Sequence, residues 1–212
     1  MENNYKNFLL LEHPLIKKDI TILRNKNTNC EIFRSAVSRI SNIIAVGMCE
    51  NLKLKNIEVE TPLEKTVGYI IANEIVIVPV LRAGLGMVTG FLQVIPDAKV
   101  GHIGLERDEK TLNPKEYYYK TPDKLSEHKV FLVDPMLATG GSASAAISFL
   151  RKRGAQNISF ACLVAAPEGI KKLGKDHPDV IIYGAALDRK LNEKGYILPG
   201  LGDAGDRTFG TL

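Results

Sequence analysis

The sequence predicts an α/β protein: an open, mainly parallel, twisted sheet flanked by helices. Three observations lead there. Ile75-Val-Ile-Val-Pro-Val-Leu81 is an almost unbroken β-branched run, as expected of a strand covered on both faces. From residue 75 to residue 187, strand-like and helix-like stretches alternate, the pattern of a parallel sheet. Finally, Lys129-Val-Phe-Leu-Val133 leads through a loop, Asp134–Gly141, into a helical stretch that starts at Ser142. At 212 residues the chain can bury a sizeable core without disulfide staples and is expected to form one domain, 1–212.

The elements follow in order. Leu15, Ile16, Ile20 and Leu23 lie on one face of a helix over 14–25. Thr28 and Glu31 have capping-box spacing. Phe33, Ala36, Val37, Ile40, Ile43 and Ile44 then recur at steps of three and four, giving a second helix that runs to about Met48. Leu54 to Val59 alternate as a strand with one wet face, and Pro62 breaks it, so 52–70 is expected to be a hairpin-like arm. After the 75–81 strand come a helix over 84–95 and a strand over Lys99–Leu105. The polar stretch 106–128 is expected to be a long connection. Beyond the strand at 129–133 are a helix over Ser142–Arg153 with Gly154 as its cap, a strand over Ile158–Ala165, a helix over Glu168–Asp176 and a strand over Val180–Leu187.

Composition narrows the function classes. Twenty-eight basic against 24 acidic residues give a net charge of +4, which suits a small anionic ligand as well as a nucleic acid and selects neither, though no lysine-arginine run favours the latter. Cys30, Cys49 and Cys162 are scattered, and the four histidines have no metal-site spacing. No eighteen-residue apolar run exists, and the short apolar stretch Phe8–Leu11 lacks a signal-peptide cleavage site, so a cytoplasmic location is expected.

The loop Asp134–Gly141 carries the chemistry. Ligands of open α/β sheets bind where strands end at their carboxyl edge. A helix N-terminus offers unsatisfied N–H groups and partial positive charge to a phosphate. Thr139, Gly140, Gly141 and Ser142 add two hydroxyls and a backbone that an anion can approach closely. Asp134 cannot hold phosphate, but it can accept hydrogen bonds from sugar hydroxyls. Acid first and hydroxyl-glycine loop next describe a ribose-5-phosphate cradle. An ordinary turn in which Ser or Thr caps the helix uses the same residues and remains the competing reading. No Walker loop or nucleophile elbow is present.

Asp134-Pro-Met-Leu-Ala-Thr-Gly-Gly-Ser142 resembles the phosphoribosyl pyrophosphate (PRPP) loop of phosphoribosyltransferases. Pro135, where most of that superfamily has a second acid, matches the uracil phosphoribosyltransferase branch. Further matches are His13-Pro-Leu15, VPVLRAGLGM at 78–87, ERDEKTLNP at 106–114, LVAAPEGI at 163–170 and the tail; the first dozen residues fall outside them. The resemblance implies the type I phosphoribosyltransferase fold with a C-terminal hood over 188–212. It implies that PRPP is held by Asp134, Pro135, Met136, Leu137, Ala138, Thr139, Gly140, Gly141 and Ser142, with Arg82 and Arg107 on the pyrophosphate. By its position alone Arg82 is equally an ordinary surface cation. Arginine's planar fork suits pyrophosphate oxygens, and fixed cations there would stabilise the charge that builds on the leaving group. Mg²⁺ would arrive with the pyrophosphate, since no protein metal cage is visible. Tyr117, Tyr118 and Tyr119 fit a lid over the site and a dimer contact equally well. The resemblance also implies a homodimer or larger, for which the 52–70 arm offers a surface; GTP activation stays open.

The tail, 195–212, has five glycines, and Gly200-Leu-Gly202-Asp-Ala-Gly205 spells G-x-G-x-x-G. A dinucleotide fingerprint needs a following helix and a distant acid, and the chain given has only seven residues after Gly205. A frayed end is opposed by Tyr196, Ile197, Leu198, Leu201 and Phe209. An ordered loop that reads a small flat base through its backbone fits the glycines best. The resemblance implies uracil contacts from Ile197, Gly202, Asp203 and Ala204, with Asp203 also reaching the donor through a hydroxyl or through Mg²⁺. The expected activity is transfer of phosphoribose from PRPP to uracil, giving UMP and pyrophosphate, with Asp203, Arg82 and Arg107 as the catalytic set. The alternative is a non-catalytic RNA-binding regulator on the same fold.

Overall fold

The computed structural model describes residues 5–107 and 114–211, the side chains of Arg107 and Pro114 excepted. Residues 108–113, inside the 106–114 match, lie outside the described residues. The chain opens with β1 (Phe8–Leu10), α1 (Pro14–Arg24) and α2 (Cys30–Cys49). Hairpin strands β2 (Leu54–Glu60) and β3 (Lys65–Ile71) precede β4 (Ile75–Leu81), α3 (Leu85–Val94), β5 (Lys99–Val100), β6 (His102–Arg107) and β7 (Pro114–Lys120). Then come β8 (Lys129–Val133), β9 (Met136–Leu137), α4 (Gly141–Lys152), β10 (Asn157–Ala165), α5 (Pro167–Asp176) and β11 (Ile181–Leu187). The chain closes with β12 (Lys190–Leu191), β13 (Ile197–Leu198) and the short α6 (Ala204–Phe209).

The main sheet runs β1-β11-β10-β8-β4-β6-β7, with β5 beside β4 and β9 beside β10. Every pairing is parallel except β6 with β7. The expected fold class is therefore present, and the buried runs explain it. In β4, Ile75 and Ile77 face the core shared with α1, α2 and α3, while Val76, Val78 and Val80 face the core shared with α4 and α5. In β8, Phe131 and Val133 face one way and Val130 and Leu132 the other. Alternation disappears from the sequence because both faces are covered.

Several expectations are corrected. The segment 106–128 is not one long loop: β7 pairs with β6, and the ring of Tyr117 lies over Gly104, where an added Cβ would meet the ring at 2.5 Å. Aromatic residues favour such a pleated edge, and glycine makes room for the ring. Tyr119 is half-buried beneath the guanidinium of Arg153, 3.9 Å from the ring centre. The cap of α2 is Asn29, whose side chain accepts from Ile32 N–H at 2.9 Å; the Thr28 hydroxyl donates to Ile22 C=O instead. The 99–105 strand breaks at Gly101. The β2–β3 hairpin is exposed along both faces, since no other element covers it among the described residues. Phe8–Leu10, outside the family match in the reading of the sequence, adds an edge strand to β11.

One helix among the described residues, α2, is long and apolar enough by length and composition to cross a membrane. It carries Glu31, Arg34 and Arg39, and it buries Phe33, Ala36, Val37, Ile40 and Ile44 against the sheet and its neighbours. That is the pattern of a core helix with one wet face.

Candidate active site

The parallel register brings the two strand ends together. Pro79 lies opposite Val133, and Val133 opposite Ala161, so Asp134 and Arg82 both follow the carboxyl edge of adjacent strands. Asp134 N–H donates to Ala161 C=O at 3.1 Å. Gly84 allows the 82–84 turn to pass closely: an added Cβ would stand 2.5 Å from Val133 C=O. Arg107 ends β6, which runs parallel to β4 on its other side, so its backbone reaches the same edge.

The 134–141 loop is pinned by its backbone. Pro135 C=O accepts from Leu163 and Val164 N–H at 3.0 Å each, and Leu137 C=O accepts from Ala166 N–H at 2.9 Å. Gly169 sits so close that a Cβ there would meet Ala138 C=O at 2.5 Å. The loop closes through Gly140 at φ +80, which favours glycine. Gly140 is also the N-cap of α4 and gives it no side-chain cap. Thr139 Oγ1 accepts only a long 3.4 Å bond from Gly141 N–H, and Ser142 is exposed in the first turn. The capping reading of these hydroxyls thus rests on that one long bond, and the N-cap Gly140 itself offers the first N–H groups of α4 no side chain.

Asp134 is half-buried, and its carboxyl accepts one bond, from Met136 N–H at 3.3 Å. Desolvation by the surrounding chain raises its pKa to about 7, partly offset by that bond. Sugar hydroxyls donating to the carboxylate would remove the imbalance.

The tail is ordered and more regular than the expected loop. β12 and β13 pair antiparallel, and α6 follows. It touches both loops. A Cβ on Gly195 would lie 3.6 Å from Thr139 Cγ2, and one on Gly205 would lie 3.7 Å from Ala83 Cβ. Arg82 donates to Asp206 Oδ1 at 3.1 Å. The Thr211 hydroxyl and, secondarily, Arg82 hold the Asp206 carboxyl below its usual range. Ile197 and Ala204 are buried, and Gly202 and Asp203 are exposed. Asp203 caps α6, accepting from Asp206 N–H at 2.9 Å through one oxygen; the other has no protein partner among the described residues. The sequence reading missed this cap.

It also missed Arg24, Asp188 and Arg207, which hold the tail. Arg207 donates to Leu201 C=O and Asn25 C=O at 2.6 Å each, and to Leu23 C=O, with its guanidinium 4.4 Å from the Phe33 ring centre. The only sequence signal for Asp188 was an acid directly after a buried strand.

Among the described residues no group of three or more His, Cys, Asp or Glu is placed to hold a metal. The exposed Asp203, with one carboxylate oxygen unused, has the chemistry for a Mg²⁺ that takes one or two carboxylates and draws its other oxygens from a substrate.

Comparison with known proteins follows the same lines. The family model described as uracil phosphoribosyltransferase matches residues 10–211. A uracil phosphoribosyltransferase of Lactiplantibacillus plantarum is 57% identical over 205 residues, covering 96% of this chain and 98% of its own. One of Salinibacter ruber is 52% identical over 206 residues, covering 97% and 98%. A solved protein of Aquifex aeolicus superposes with a TM-score of 0.90 at 37% identity, over 95% of this chain and 97% of that one. A hypoxanthine-guanine phosphoribosyltransferase of Bacillus anthracis, at 13% identity and a TM-score of 0.53 over 75% and 80% of the chains, shares the fold.

Proposed function

The chain belongs to the uracil phosphoribosyltransferase family, and we propose how its own residues carry out transfer of phosphoribose from PRPP to uracil. The RNA-binding regulator has no support: the relatives cited, matched along nearly their whole length, bear the enzyme's name.

One observation carries the assignment of roles. The pinned loop 134–142, the Arg82 turn and the tail meet at one sheet edge, and the N-terminus of α4 there is met only by one long bond to Thr139 Oγ1, its N-cap being Gly140. In this reading, the N–H groups of Gly140 to Ser142 and the hydroxyls of Thr139 and Ser142 hold the donor's 5′-phosphate. Asp134 accepts from the ribose hydroxyls. Arg82 and Arg107 bind the pyrophosphate, and their charge counts most as the bond from ribose C1 to the pyrophosphate oxygen breaks. The backbone of Ile197 and of Gly202 to Ala204 holds the edge of uracil so that its ring nitrogen faces C1. As the new C–N bond forms, the proton leaves that nitrogen for the departing pyrophosphate or for water. Asp203 is the residue that would hold Mg²⁺, which when bound adds positive charge at the pyrophosphate. A backbone pocket that matches uracil's donors and acceptors should reject cytosine strongly. We place the protein in the cytoplasm as a homodimer or larger assembly. The exposed β2–β3 hairpin supports the assembly, and the anionic donor PRPP supports the compartment.

The test is direct: incubate the protein with uracil, PRPP and Mg²⁺ and assay UMP and pyrophosphate. Stoichiometric formation of both is expected. Absence of UMP across pH and Mg²⁺ concentration would overturn the reading.

A further inference from the structure

A base read through backbone groups poses a positioning problem, because a main-chain pocket is only as exact as whatever fixes the main chain. Just before the 202–204 segment, Gly200 turns at φ +64, packed so tightly that a Cβ would stand 2.3 Å from Ile197 C=O. Both of its peptide groups are held by one ion pair. Gly200 N–H donates to Asp188 Oδ2 at 2.8 Å, and Gly200 C=O accepts from Arg24 Nη1 at 3.0 Å. Arg24 in turn grips Asp188 with two bonds, Nη1 to Oδ2 at 2.9 Å and Nη2 to Oδ1 at 2.6 Å. The Asp188 side chain is only 3% exposed and that of Arg24 27%. Asp188 is also tied to the donor side of the site, since its N–H donates to Ala165 C=O at 2.8 Å.

We propose that Arg24 and Asp188 are positioning residues for the base pocket: they clamp Gly200 and so set affinity and selectivity for uracil without touching it. The inference rests on the functional reading above. The guanidinium is a planar fork: through Nη1 and Nη2 it donates to both carboxylate oxygens and to the carbonyl at once, a geometry a lysine ammonium does not reproduce. A loosened clamp would let the 202–204 backbone drift relative to C1. A displacement on the order of 1 Å is enough to cost a site much of its binding or rate.

Asp188→Asn and Arg24→Lys test this. Asparagine keeps the shape and one acceptor for Gly200 but removes the charge; lysine keeps the charge but not the fork. Steady-state kinetics should show KM for uracil rising about tenfold or more in Asp188→Asn and less in Arg24→Lys, with KM for PRPP within about twofold. The ratio of kcat/KM for uracil over cytosine should fall in both. Asp19→Asn is the control. Asp19 is an equally buried carboxylate, bound by Arg39 at 2.7 and 2.8 Å between α1 and α2, with no hydrogen bond to the tail among the described residues. It should lower the melting temperature and leave KM for uracil unchanged. If Asp188→Asn does not fold, Arg24→Lys alone decides. An unchanged uracil KM and cytosine ratio in the folded variants, with normal wild-type turnover, overturns the clamp alone. An equal rise in Asp19→Asn also overturns it, because the effect would then be general destabilisation. A wild-type protein that makes no UMP overturns the activity, and the clamp with it.

Discussion

Raising the pH from 6 to 8 should tighten PRPP binding about tenfold through Asp134 alone. The carboxyl is raised to about 7 because the chain around it strips its water, while only Met136 N–H donates to it. A sugar hydroxyl donates to the ionised form, so the donor must bind the carboxylate. For a pKa near 7, about a tenth of the protein is ionised at pH 6 and about nine-tenths at pH 8, hence the tenfold change. At pH 7 binding should release about half a proton, visible by calorimetry in buffers of different ionisation enthalpy. Asp134→Asn removes this component while the donor's own phosphate titration remains, so the difference between the two proteins isolates the aspartate. Stability has the opposite sign. A raised carboxyl pKa favours the folded state while the group is protonated, and that advantage is lost as pH rises from about 4 through about 7. The full shift corresponds to about 4 kcal/mol, an upper bound because the residue is only half-buried. A wild-type PRPP affinity no more pH-dependent than that of Asp134→Asn would refute the reasoning.

Three further outcomes are expected. Asp203→Asn preserves the α6 cap, since asparagine caps as well as aspartate, so turnover should drop steeply with an unchanged melting temperature; Asp203→Ala should add a stability loss of about 1 kcal/mol. Wild-type turnover in Asp203→Asn would return the residue to a purely capping role. Arg82→Ala breaks only an exposed contact with Asp206, so the melting temperature should hold while KM for PRPP rises about tenfold or more; unchanged kinetics would make Arg82 an ordinary surface cation. Gly140→Ala forces a side chain into a φ of +80 and to 2.9 Å from Gly169 C=O, so PRPP binding should weaken more than uracil binding, measured by separate titrations.

The sequence by itself determined the sheet and its loop. The runs at 75–81 and 130–133 announce buried strands because nothing polar survives between two covered faces. Asp134 to Ser142 is legible because an anion loop, its glycines and its helix are contiguous in the chain. The glycines and apolar residues of the tail likewise marked it as an ordered turn. Local chemistry close in sequence leaves a local trace. The rest depended on partners far apart. Asp203 as a helix cap required α6, six residues too short to show a period. Tyr117 found its place only when β6 and β7 paired, with a register shift that lays its ring over Gly104. Arg24 and Asp188, 164 positions apart, look like two ordinary surface charges until the fold buries one against the other and lays Gly200 across them. Pairing energy between distant residues has no signature in either residue alone. Tertiary structure therefore decided what holds the tail backbone in place, while the sequence had already marked the loop and the tail from which we propose the pocket is built.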